Sequence, residues 1–127
     1  MEFKANPIIV EKYNFETLVE PEEGIENNIM VQLNEVEPAG EDKSELEAGK
    51  IYKVDVPFSL VLERFKIDGQ ISRIVQVLDF FGETNEIDQA TAQEMSKPLI
   101  DYIKRLTYEV TEIAFDLPGY KLDFESN

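Results

Sequence analysis

The chain has 127 residues, none of them histidine or cysteine, so the reactive chemistry open to its side chains is narrow. Thiol nucleophiles, Ser-His triads and the usual zinc ligands are excluded. Carboxylates remain, concentrated in "EPEEGIENN" (20–28) and "DFFGETNEID" (79–88). Neither stretch has the alternating oxygen-ligand spacing of a calcium loop. The glycine-rich phosphate cradles G-x-G-x-x-G and G-x-x-x-x-G-K-S/T are also missing. Glu37, Glu41, Asp42, Glu45 and Glu47 cluster in a Pro/Gly-marked loop and read as solvated charge. The expectation is a protein that is not an enzyme and uses no cofactor and no metal.

The charge balance narrows the partners. Twenty-seven acids against 12 bases give a formal charge of −15. Such a chain repels phosphate backbones and anionic membranes, so nucleic acid is not an expected partner, whereas unfolded chains with basic stretches are. Apolar residues make up 43% of the sequence, enough for a core. The start, "MEFKANPIIVEK", has Glu2 and only a short apolar run at 8–10, unlike a signal peptide. No apolar run approaches the length of a membrane span. A single cytoplasmic domain over 1–127, without membrane insertion, is expected.

Periodicity predicts the elements. A strand over 6–17 places Ile9, Tyr13 and Phe15 on one parity, and 29–37 alternates as a second strand. Acidic loops at 18–28 and 38–49 come after these two strands, the second with one helical turn around Leu46. Residues 50–82 read as two long strands joined by a two-residue turn at Asp68-Gly69. In the first arm Tyr52, Val54, Val56, Phe58, Leu60 and Leu62 keep a strict period of two. The apolar parity then switches to Phe65 and Ile67, which calls for a bulge or strong twist near Arg64. The second arm is apolar on both parities. A short helix is expected over 83–95, capped by Thr84 or Asn85. A long helix is expected over 97–116, with Ser96 as cap, Pro98 in its first turn, and a stripe of Leu99, Ile103, Leu106, Val110 and Ile113. Pro118-Gly119 stops it. The fold class is α+β: a four-stranded antiparallel sheet followed by a short helix and a long C-terminal helix packed on it. One helix covers one sheet face. The other, with Val61, Phe65, Ile67 and Ile71, together with a second helical spot at Tyr108 and Phe115, implies a homo-oligomer, a dimer or tetramer.

The segments "IIVEKYNFE" (8–16), "NNIMVQLNEVE" (27–37), "AGKIYKVDVPFSLVLERFKIDGQISRIVQVLDFFG" (48–82) and "MSKPLIDYIKRLTYEVTEIAFDLPGYKLDF" (95–124) resemble, in order, the four strands and C-terminal helix of the SecB-like chaperones. The resemblance is nearest to the uncharacterised SecB-like proteins of low-GC Gram-positive bacteria. SecB proteins are tetrameric holdases of bacterial protein export. The resemblance therefore implies a homotetramer that binds non-native polypeptides in apolar grooves between sheet and helical loop. The residues it points to are Phe80, Phe81, Ile87 and Met95 around the short helix, plus Tyr108. Glu16 matches an acid that contacts the export motor. Lys12 and Gln76 stand where the family carries further acids, so only a weak motor contact is expected. The alternative is a dedicated partner-binding module, antitoxin-type or regulatory, on the same fold without general chaperone activity.

Overall fold

The computed structural model describes residues 2–20, 27–38 and 40–122. Its spine is an antiparallel hairpin of β5 (Ile51–Val61) and β6 (Phe65–Val77), rich in the β-branched residues that suit a pleated, half-buried surface. The two strands pair from Ile51 opposite Gln76 to Val61 opposite Lys66. Beyond the last pair the Leu62 amide donates to the Phe65 carbonyl at 2.8 Å. The turn is therefore Glu63-Arg64, not Asp68-Gly69. Asp68 and Gly69 sit inside β6, opposite Ser59 and Phe58. Glycine serves there for space: a Cβ would come 2.1 Å from the Lys12 carbonyl oxygen and 2.9 Å from Phe58 Cζ.

Moving the turn also corrects the reading of two apolar faces. The parity switch near Arg64 is the hairpin itself, because reversal of the chain sets even positions of β5 beside odd positions of β6. Tyr52, Val54, Val56, Phe58 and Leu60 thus share one buried face with Phe65, Ile67, Ile71 and Val75. The opposite face carries Lys53, Asp55 and Ser59 beside Lys66, Asp68, Gln70 and Ser72, and of the four residues expected to need a cover only Val61 lies there.

Each flank of this hairpin is a strand broken in two. β1 (Phe3–Ala5) and β2 (Ile9–Thr17) pair in succession with β6, separated around Pro7, which has no amide to offer a ladder. β3 (Asn28–Ile29) and β4 (Gln32–Val36) pair with β5 on the other side. The four expected strands are thus realised as a six-stranded antiparallel sheet four strands wide. The turn around Leu46 is a 3-10 helix, Ser44–Ala48. Gln76 pins it from beneath, donating to the carbonyls of Glu45 (2.7 Å) and Gly49 (2.9 Å).

The C-terminal helix α1 spans Gln89–Phe115, starting well before the expected 97. Asp88 is its cap and accepts the Thr91 amide at 2.7 Å; hydrogen bonding from the Thr91 side chain, and then from its amide, holds the carboxyl below the usual range. Of the helix expected over 83–95, residues 84–86 form one 3-10 turn, capped by Glu83 rather than by Thr84 or Asn85, and 89–95 are the first turns of α1. Ser96 is buried within α1 and Pro98 lies inside it. At 27 residues the helix is about 40 Å long. Its buried line is Met95, Leu99, Ile103, Thr107 and Thr111. A step of four residues overshoots one helical turn by about 40° at 3.6 residues per turn, so this line slides round the helix as it crosses the twisted sheet. Val110 and Ile113 rotate off it, and Ile113 is 78% exposed.

The core has one orphan. Tyr52 is fully buried, and its hydroxyl has no hydrogen-bond partner among the described residues. Leaving a buried donor unmet costs about 1–3 kcal/mol. Tyr52→Phe is expected to raise the stability measured by urea unfolding by roughly 1 kcal/mol. A loss of stability would mean that the hydroxyl is satisfied.

Candidate functional site

The end of α1, the hairpin tip and the segment beyond the helix meet in an aromatic cluster. Phe15 stacks on Phe65 with ring centroids 5.7 Å apart, and Phe115 closes on both at 6.0 and 6.1 Å. The Arg64 guanidinium lies 4.7 Å from the centre of the Phe115 ring, a cation–π distance. The Leu18 amide donates to the Arg64 carbonyl at 2.8 Å and ties the tip to the end of β2.

After Phe115 the chain reverses. Asp116 adopts the left-handed conformation, φ 52°, that ends many helices. Gly119 then passes so close to α1 that a Cβ would lie 2.3 Å from the Tyr108 carbonyl oxygen and 2.7 Å from its ring. The Tyr120 amide donates to the Thr111 hydroxyl at 2.7 Å, and that hydroxyl donates to the Thr107 carbonyl at 2.7 Å. The Thr107 hydroxyl in turn meets the Tyr13 hydroxyl at 3.1 Å. Burial pushes the Tyr13 phenol up, and the Thr107 bond offsets part of the rise. The Tyr120 ring stands edge-on to Phe65 at 5.4 Å, and Leu122 joins the core.

Between the tip (Leu62, Glu63, Arg64, Phe65), the helix end (Thr111, Phe115) and the returning chain (117–121) lies an open groove of about 390 Å³. That is room for one or two side chains, within the size range of small-ligand sites. Its walls are largely aromatic and aliphatic, with Glu63, Arg64 and Lys121 as their charged residues. The chemistry on offer is burial of an apolar side chain beside a group that accepts from Arg64.

The residues expected from the sequence divide between two places. Phe80 and Ile87 are half-buried against the core and Phe81 is 59% exposed, forming a patch before the start of α1. Met95 is 3% exposed and belongs to the core rather than to the surface. Tyr108 is roughly 20 Å further along the helix from Met95, at 1.5 Å per residue, and lies beside Gly119 without lining the groove itself. Arg64, Phe65 and Tyr120 are not among the expected site residues. Nor is Phe115, which the sequence offers only as an outward helix spot for self-association rather than as a partner of Phe65. The signal available is an aromatic residue just after the Pro118-Gly119 stop. Its partners become visible only once the turn is placed at Glu63-Arg64.

Glu16 sits on the opposite, polar sheet face, exposed and 3.6 Å from Lys66, and Lys12 lies 3.5 Å from Asp68. At the middle of that face Asp55 is nearly inaccessible and accepts from Asn34 at 3.1 Å and Gln70 at 2.9 Å. Lys53 bridges Glu11 and Asp55 at 3.0 and 3.5 Å. Gln76, which stands where the family carries an acid, is buried. Among the described residues no three His, Cys, Asp or Glu side chains are grouped so as to hold a metal, and no helix is long and apolar enough to cross a membrane.

Comparison with known proteins gives three findings. A family model described as "Protein of unknown function (DUF1149)" matches residues 1–124. A crystal structure of a protein of unknown function from Streptococcus agalactiae superposes with a TM-score of 0.81 at 31% identity, covering 98% of each chain. A SecB-like chaperone from Mycobacterium tuberculosis, solved in complex with a ChAD peptide from the HigA1 antitoxin, superposes with a TM-score of 0.56 at 12% identity, covering 97% of this chain and 89% of the other. At that identity the likeness shows the fold, which is SecB-like. No curated protein matches.

The hydroxyl of Thr111 is the joint between helix and returning chain. Thr111→Val keeps the shape and removes the hydroxyl's bonds to Tyr120, Thr107 and Tyr108, at an expected cost of about 1–2 kcal/mol. Hydrogen exchange of the Tyr120 amide should accelerate while β5 and β6 keep their protection. Unchanged protection at Tyr120 would contradict the docking described.

Proposed function

The chain belongs to the DUF1149 family, and on that premise we propose that it is a holdase of the SecB-like kind, a protein without enzymatic activity that keeps non-native polypeptides from aggregating. The observation that carries this reading is the aromatic groove at the end of α1, open to solvent on a SecB-like fold. The patch of Phe80, Phe81 and Ile87 near the other end of the helix supports it. Burying one large apolar side chain is worth roughly 1.5–3 kcal/mol, so either place alone binds weakly. Together they lie within reach of one extended chain, since about 40 Å is spanned by a dozen or so residues at ~3.3 Å each. The formal charge of −15 draws basic unfolded chains at a rate that falls with salt. The working place is the cytoplasm.

Self-association belongs to the proposal, on a different basis from the sequence argument. The outer sheet face is polar, but along the flank of α1 Tyr102, Leu106 and Val110 are half-buried and Ile113 is exposed. That stripe suits a second copy, as a dimer or tetramer. Export-motor binding is weak in this reading, because Glu16 is paired with Lys66 and Lys12 opposes Asp68.

The second reading is a dedicated partner module. It is favoured by the peptide seen on the Mycobacterium tuberculosis neighbour, since a groove of about 390 Å³ suits a peptide segment. Light scattering on dilution of a chemically unfolded, unrelated protein separates the two. General suppression of scattering supports the holdase. No suppression, with a single stoichiometric partner in a pull-down, supports the module. Sedimentation should give a mass above the 14.6 kDa of one chain, and Ile113→Glu should return it toward that value. A natural chain sedimenting as a monomer would end the self-association proposal.

A further inference from the structure

The chain that returns from α1 looks less like a strand of the fold than like a bound peptide. Residues 117–122 form neither helix nor strand. They are tied to the helix by a main-chain amide on a side chain, Tyr120 on Thr111. Their apolar anchors are Tyr120 against Phe65 and Leu122 in the core, two residues apart as in any extended segment that turns alternate side chains inward. Leu117 is 52% exposed and Tyr120 44%, so the docking is partial. The connection to α1 is a short reversal, left-handed Asp116 followed by Pro118-Gly119.

We propose that residues 117–122 are a resident ligand: the surface they cover, continuous with the groove, takes extended aromatic-x-aliphatic segments, and Tyr120-Lys121-Leu122 is the built-in example that an incoming polypeptide displaces. The inference rests on the groove being a polypeptide site and names what that site selects and how it is kept closed. Phe65, the Thr111 hydroxyl and the core residues that bury Leu122 form the covered surface. The Arg64 guanidinium borders it, which favours segments with an acid or a free carbonyl beside the aromatic residue. A site occupied by its own tail for most of the time shows a reduced apparent affinity, in proportion to the fraction left open.

Gly119 provides a clean way to open it. Gly119→Ala sets a methyl against the Tyr108 carbonyl, so the tail cannot dock as it does, while every residue of the covered surface stays in place. The probe is a fluorescent peptide of this chain's own residues 116–122, Asp-Leu-Pro-Gly-Tyr-Lys-Leu, followed by anisotropy. It should bind the full-length Gly119→Ala protein about tenfold more tightly than the natural chain, as expected if the open fraction rises by that factor. The same peptide carrying Tyr120→Ala and Leu122→Ala should not bind. Equal affinity for natural chain and variant overturns the proposal. So does equal binding of both peptides, the mark of a loosened core rather than a selective site. Aggregation suppression by the natural chain, measured in parallel, keeps the two ideas apart. Suppression without the peptide contrast sinks the resident-ligand idea and spares the holdase, and the contrast without suppression does the reverse.

Discussion

The pairing of β5 with β6 is the constraint on which the rest of the molecule hangs. Its register assigns every side chain of the hairpin to a face. One face becomes an apolar floor for α1. Phe65 comes to lie under Phe115 and against Phe15, so the aromatic groove exists only in this register. The same ladder leaves Asp55 on the far side, where Asn34 of β4 and Gln70 of β6 reach it. A slip of one residue would bury Ser72 and Asp68 beneath the helix and turn Ile71 and Ile67 to water.

Much of this is legible in the sequence, and the parts that are not share a cause. The period of two from Tyr52 to Leu60, the turn around Leu46, the long helix and its stop at Pro118-Gly119 are local signals, and the fold class rests on them. The turn escapes a local reading because Asp68-Gly69 is a strong turn pair and Glu63-Arg64 is a poor one. The long pairing of β6 with both of its neighbours overrides that preference. The helix start escapes it similarly. Ser96 before Pro98 has the look of a cap, yet Thr91 and Met95 belong beneath the sheet, and Asp88 supplies the earlier start. A straight apolar stripe is the local expectation, but a helix crossing a twisted surface buries every fourth residue, so Thr107 and Thr111 take the places expected for Val110 and Ile113. For the site, Tyr108 and Phe115 stand out by residue type, but their partners depend on the turn. Phe80, Phe81 and Ile87 lie before the start of α1, far along the helix from Tyr108.

The polar sheet face has its own logic. A buried carboxylate is unfavourable unless its oxygens are met, and those of Asp55 are met by Asn34, Gln70 and Lys53, the last also holding Glu11. The partners come from β4, β6, β5 and β2, so the network is satisfied only when all four lie in register. The apolar face rewards collapse in general, whereas this cluster rewards one alignment.

Both flanks of the sheet are interrupted, around Pro7 on one side and at Met30-Val31 on the other, and β2 carries a register shift between Val10 and Lys12 besides. An unbroken edge of free amides and carbonyls is a template on which other chains add strands and from which fibrils grow. Short, kinked edges with charged residues such as Lys12 and Glu16 make a poor template. In the proposed holdase role, among unfolded, strand-forming chains, such ragged borders would keep the molecule from becoming one more layer of a growing sheet.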